Sequence, residues 1–194
     1  MAEALDVLWK NSFMNTLLQC ECAEPLKEAA LAENLGTWTK ELTHVVAKTC
    51  KSLGWHPASK GNKCSFLPIP RCEYLSLDVM AFQEKAGEWN FPHAVMELEN
   101  SFKDNTIAYS LWKVICIRVP LRFVFCYRRS STEGSSLINS LCKSVIASLP
   151  IEERMRLGGE TIVVVGSRND ASTFPYGFFK WWRLNKNTGR FDLM

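Results

Sequence analysis

The hydrophobic period switches from helical to strand-like after Gly54, and that switch restricts the chain to folds that mix both elements. Before it, apolar residues recur every three or four positions. Leu5, Leu8, Trp9, Phe13 and Leu17 form one run, and Leu31, Leu35, Trp38, Leu42, Val45 and Leu53 form another. The first run predicts an amphipathic N-terminal helix. The second predicts a longer helix opening near Pro25, a favoured first-turn residue, and stopped by Gly54. After a polar loop at 57–63, strands are expected at 64–69, 74–82 and 93–100. Asp104 and Asn105 then cap a helix over 106–118, which Pro120 ends. A buried-type strand at 121–127, a Ser/Gly loop at 130–136 and a helix over 136–148 follow. Strands at 161–166 and 174–184 complete an order of α-α-β-β-β-α-β-α-β-β, the pattern of one α/β domain with a mixed sheet.

Composition supports a core of that size. Of 194 residues, 47% are hydrophobic and 22% charged, which suits one globular domain and disfavours bulk disorder. No apolar run reaches the roughly 20 residues a membrane helix needs, and the acidic start Met-Ala-Glu-Ala does not read as a signal peptide. A soluble, cytoplasmic protein is therefore expected, with no membrane partner. The eight cysteines mostly sit in apolar segments as small hydrophobes, and the Cys20-Glu-Cys22 pair lacks the spacing of a zinc site. The net charge of +3 hides an asymmetry: residues 1–99 carry 9 basic and 13 acidic side chains, residues 100–194 carry 14 and 7. An acidic region beside a basic one suits metal-assisted work on a polyanion.

Three carboxylates interrupt strands where acids are depleted: Asp78, Glu97 and Glu99. Glu97 and Glu99 are two residues apart, so a strand projects both from one face. Two consecutive strands can bring Asp78 and Glu97 close, and carboxylates that close repel unless a cation shares the site. Mg²⁺ (or Mn²⁺) is the natural choice, because it takes hard oxygen ligands from one or two carboxylates. A solvated polar face on an edge strand is the plainer explanation of the same spacing. Glu41 borders the buried stripe of the long helix, three residues from Trp38 and four from Val45.

A helix with Glu, a strand with Asp, a strand with Met-Glu-Leu-Glu-Asn (96–100) and a helix carrying Tyr-Ser-Leu-Trp-Lys (109–113) resemble the PD-(D/E)xK nuclease superfamily, over residues 30–130. The resemblance implies a restriction-endonuclease-like fold: a mixed central sheet flanked by helices, here with an extra N-terminal helix. It implies a metal-dependent nuclease in which Asp78 and Glu97 hold the metal and Glu41 matches an acid often found on the first core helix. The lysine of the Glu-x-Lys motif is replaced by Glu99, which would hold a second metal or orient water. Lys113 would be the relocated lysine that offsets transition-state charge, with Tyr109 one turn before it. The partner implied is nucleic acid, DNA favoured, with a homodimer or larger nuclease complex needed for paired cuts. A catalytically inactive module of the same fold, binding nucleic acid or protein, is the alternative.

The segment 174–183 mixes six aromatics with Lys180 and Arg183, a composition that suits single-stranded nucleic acid, although a strand covering the sheet would read the same way. Arg128, Arg129, Arg154, Arg156 and Arg168 fall at expected element ends, where they could track phosphates. His93 precedes the Glu97 strand and either sits at the mouth of the site or is an ordinary turn histidine. Gly158-Gly159 lacks the pattern of a phosphate-binding loop.

Overall fold

The computed structural model describes residues 4–194, without the side chains of Cys20 and Cys22. The reading of the first three residues and that of the Cys20-Glu-Cys22 pair lie outside the described residues. The strands form a seven-stranded, mixed, open sheet ordered β1 to β7 as they occur in the sequence, and the chain divides into two compact units, residues 1–96 and 97–194.

The first unit opens with α1 (Leu5–Leu17), α2 (Cys20–Leu31) and α3 (Leu35–Ser52). Trp9, Phe13 and Leu17 of α1 and Trp38, Leu42 and Val45 of α3 are buried, so these members of the expected stripes face the core, whereas Leu8 and Leu31 are exposed. Trp9 and Phe13 stack with ring centroids 5.3 Å apart. Both α1 and α2 pack on α3. The single long helix expected from Pro25 to Gly54 is two helices. Glu33 takes a left-handed φ of 53°, and the Asn34 side chain accepts a hydrogen bond from the Thr37 N–H at 3.1 Å, capping α3. The apolar stripe runs across this break, which hid it. Pro25 lies inside α2.

Three strands follow, β1 (His56–Ser59), β2 (Val79–Phe82) and β3 (Ala94–Leu98). β1 pairs antiparallel with β2, and β2 pairs antiparallel with β3 through Val79 opposite Met96. β1 lies where a loop was expected. Its Pro57 is tolerated because β1 is the outermost strand of the sheet order. The strand expected at 64–69 is a loop held by the Cys64 N–H on the Arg71 carbonyl, 2.9 Å. The strand expected from 74 begins only at Val79, because Leu75 and Ser76 both adopt φ of 54°, a left-handed turn no strand contains.

The second unit holds α4 (Asp104–Ile115), β4 (Leu121–Arg128), α5 (Ser131–Ser144), α6 (Ile151–Arg156), β5 (Glu160–Ser167), β6 (Phe179–Asn185) and β7 (Arg190–Leu193). β4 and β5 run parallel and are joined by a crossover containing α5, while β6 and β7 add antiparallel. Every residue of β4 is buried, as expected of its mainly apolar run, including Arg122, whose guanidinium donates to the Ile117 and Gly158 carbonyls. The parallel and antiparallel registers align Phe125, Val164 and Trp181 across three strands, and Phe123 and Phe125 each meet Trp181 edge-on. α5 starts five residues before its expected position because Ser130 caps it, accepting from the Glu133 N–H at 3.2 Å. α6 and β7 were not expected. No helix among the described residues is long and apolar enough to cross a membrane.

Candidate functional site

Glu97 sits in β3, one residue before its end, and Glu99 continues the chain beyond it, its N–H donating to the Phe125 carbonyl of β4 at 2.8 Å. α4 follows, burying Ile107, Ser110, Leu111 and Val114. Two side chains of this helix reach the two glutamates. The Lys113 ammonium lies 2.7 Å from Glu97 Oε2, with the lysine side chain 21% exposed and the glutamate 7%. Ser110 Oγ donates to Glu99 Oε2 at 3.2 Å, and the Ser101 N–H donates to Glu99 Oε1 at 2.8 Å.

The pairing has a simple geometric basis. Three helical residues rise roughly 4.5 Å and two strand residues roughly 6.6 Å, so i, i+3 on a helix meets i, i+2 on a strand once the side chains span the remaining distance of about 2 Å. Lys113 meets Glu97 and Ser110 meets Glu99, so along this contact α4 runs opposite to β3. The ammonium of Lys113 is also 5.9 Å from the centroid of the Tyr109 ring. Tyr109 in turn stacks on Trp112 at 5.9 Å and 21° between planes, and both rings are more than half exposed. Sequence reasoning placed Tyr109 on the face of Lys113 but missed the paired aromatic surface. The signal was available, since Tyr109 and Trp112 fall outside the stripe of Ile107, Leu111 and Val114.

Asp78 and Glu41 belong to the first unit. Asp78 is half-buried and immediately precedes β2, and it is not within the strand as expected. Glu41 is a half-buried residue of α3, with Lys40 Nζ 3.6 Å from its Oε1. Among the described residues no group of three or more His, Cys, Asp or Glu forms a cation cage. A cation here would be held by one or two carboxylates with water and ligand oxygens. That is the mode suited to Mg²⁺, with Glu97 as the carboxylate. Both oxygens of Glu99, expected to hold a second metal or orient water, instead accept hydrogen bonds from Ser110 and Ser101.

Several expected phosphate contacts are otherwise employed. Arg128 is buried, and its guanidinium donates to Asp104 Oδ1 at 2.8 Å and to the Tyr127 carbonyl at 2.9 Å. This ties the end of β4 to the start of α4. Arg154 donates from Nε to the Lys186 carbonyl at 3.1 Å and from Nη1 to the Leu149 carbonyl at 2.7 Å. Arg129 and Arg156 are exposed and Arg168 is half-buried. In the aromatic segment Phe178, Phe179 and Trp181 are buried in the unit's core, which removes them as base-stacking platforms and leaves Tyr176 exposed.

His93 is half-buried in the first unit with its ring 4.7 Å from that of Trp55 in an edge contact. Burial and the nearby Lys85 charge push its imidazole below the usual range, so it is neutral near pH 7. Comparison with protein-family models, with curated proteins and with solved structures finds no match to this chain.

Proposed function

We propose that the chain is a metal-dependent phosphodiester hydrolase of the restriction-endonuclease-like kind, acting on nucleic acid with DNA favoured. The observation that carries this reading is the 2.7 Å contact between Lys113 and Glu97. The strand motif lacks its own lysine, and a cation from α4 stands beside the carboxylate that the motif assigns to metal. Glu97 Oε2 keeps lone-pair capacity while accepting from Lys113, since an ionised carboxylate offers about four acceptor sites. Mg²⁺ or Mn²⁺, when bound, supplies Lewis-acid polarisation of the phosphate and an activated water. Lys113 then has two tasks: it holds the Glu97 carboxylate in place, and it stabilises negative charge developing on phosphate oxygens. Glu99 acts here as a latch between β3 and α4. Asp78, as a second metal carboxylate, and Glu41 enter on sequence grounds alone. The exposed Tyr109–Trp112 pair beside Lys113 supplies a stacking surface for bases.

A second reading is favoured by the same pair. Lys113 already neutralises Glu97, so the buried carboxylate needs no cation to be stable, as in a nuclease-fold module that binds without cutting.

Metal-dependent thermal unfolding separates the two. With millimolar Mn²⁺ against EDTA, the hydrolase reading expects a melting temperature that rises with metal concentration. At a hundredfold excess over the dissociation constant the gain is about 2.7 kcal/mol, and Glu97→Gln should abolish it. An unchanged melting temperature in the wild-type chain leaves only the binding module.

A further inference from the structure

A second site lies away from Glu97, where the first turn of α5 meets one face of β5, β6 and β7. The antiparallel registers put Val165 opposite Lys180 and Trp182 opposite Leu193, so these side chains share the sheet face next to α5. Together with Ser131, Gly134, Ser135 and Ser167 they line a cavity of about 190 Å³. Gly134 allows the approach: a Cβ there would already stand 3.2 Å from Val165 Cγ1.

Two buried polar atoms of this cavity's lining residues have no hydrogen-bond partner among the described residues. Ser167 is completely buried, and its Oγ is unsatisfied. The Trp182 indole Nε1 is likewise buried without an acceptor. Leaving such groups unpaired is costly, and native structures rarely do so without a ligand or water. Both can donate, and Lys180, which makes no ion pair among the described residues, adds a positive charge at the same wall. Ser131 is the first residue of α5, whose leading N–H groups lack intrahelical partners and carry the positive end of the helix dipole. Ser135 is committed, since its hydroxyl donates to the Ser131 carbonyl at 3.1 Å. Glu133, the acid of this turn, accepts from the Arg129 N–H and does not line the cavity.

Ser167 ends β5, one of the two parallel strands, and α5 starts directly after the end of the other. That is where α/β sheets bind phosphates, at strand carboxyl ends and helix N-termini. Ser135 and Trp182 also border a larger, more open cavity of about 550 Å³ that adds Asn139, Lys143 and Arg190.

We propose that this pair of cavities binds a phosphomonoester. Its phosphate accepts hydrogen bonds from Ser167, Trp182 and Lys180 in the inner cavity, and its organic body occupies the outer one. The ester is either a free small molecule or the phosphorylated end of a strand, and both present the same group. The site is independent of Glu97.

The Trp182 indole N–H reports occupancy directly. In ¹H–¹⁵N spectra of the full chain, with the resonance identified by Trp182→Phe, inorganic phosphate should move it saturably, and sodium chloride at equal ionic strength should not. Lys180→Met and Ser167→Ala should each weaken phosphate binding at least tenfold, whereas Glu97→Gln should leave it unchanged. A nucleoside 5′-monophosphate binding more tightly than phosphate identifies the free ester. A 5′-phosphorylated dinucleotide binding more tightly than both that monophosphate and its 5′-hydroxyl counterpart identifies a strand end. An indole resonance that does not respond to phosphate overturns the site, as does wild-type affinity in both Lys180→Met and Ser167→Ala.

Discussion

Lys113→Met should destabilise the chain by about 3 kcal/mol, because it leaves Glu97 buried with its 2.7 Å ion-pair partner removed. The cost lies at the lower end for a broken buried pair, because the lysine side chain is 21% exposed and partly hydrated. The control is the double variant Glu97→Leu/Lys113→Met, which removes both charges and should recover most of the loss. Replacing a buried pair with apolar groups is often close to neutral. Urea unfolding of wild type, both single variants and the double variant gives the coupling energy directly. A cost below about 0.5 kcal/mol for Lys113→Met would mean the pair behaves as a solvated surface contact.

Gly159→Ala should cost about 3 kcal/mol for a different reason. Gly159 has φ of 75°, and a Cβ at this position would stand 2.1 Å from the backbone carbonyl oxygen of Pro120. Part of the penalty is the left-handed conformation, roughly 1 kcal/mol for a residue with a Cβ. The rest is overpacking against backbone, which has no rotamer to yield. The contact matters to the sheet, because the Glu160 N–H donates to that same carbonyl at 2.7 Å as β5 begins alongside β4. Gly158→Ala, where an added Cβ meets nothing within 4 Å, should stay within about 0.5 kcal/mol of wild type. Equal stability for the two alanine variants in thermal unfolding would refute the steric argument.

How far the sequence was legible depended on whether a signal was periodic. α1 was readable because its apolar residues repeat at helical spacing, and β4 and β5 because they are nearly continuous apolar runs, buried along almost their whole length. The boundary between α2 and α3 was not, because the stripe of Leu31, Leu35 and Trp38 crosses it. Only the Asn34 cap, a single polar side chain, marks the break. β1 was concealed by Pro57, and the start of β2 was misplaced because nothing in Leu75 or Ser76 announces a left-handed backbone. At the candidate site, the resemblance offered Lys113 as a relocated lysine, and its 2.7 Å contact with Glu97 is visible only in the structure. The latch of Ser101 and Ser110 on Glu99 was not legible, because two individual hydrogen bonds leave no repeating trace in the sequence. The burial of Arg128 is of the same kind, since it depends on Asp104 across 24 residues.

The measurement that bears most directly on Lys113 and Glu97 as a hydrolytic centre is cleavage of plasmid, single-stranded DNA and RNA by the purified chain. It would be run with Mg²⁺, Mn²⁺ or EDTA at a temperature where wild type, Glu97→Gln and Lys113→Met are all folded. The account expects cutting by wild type only with metal, and a loss of at least a hundredfold in each variant, the size associated with removing one group that stabilises transition-state charge. Metal-dependent cutting that persists at the wild-type rate in both variants, or no cutting of any substrate by wild type, would contradict it.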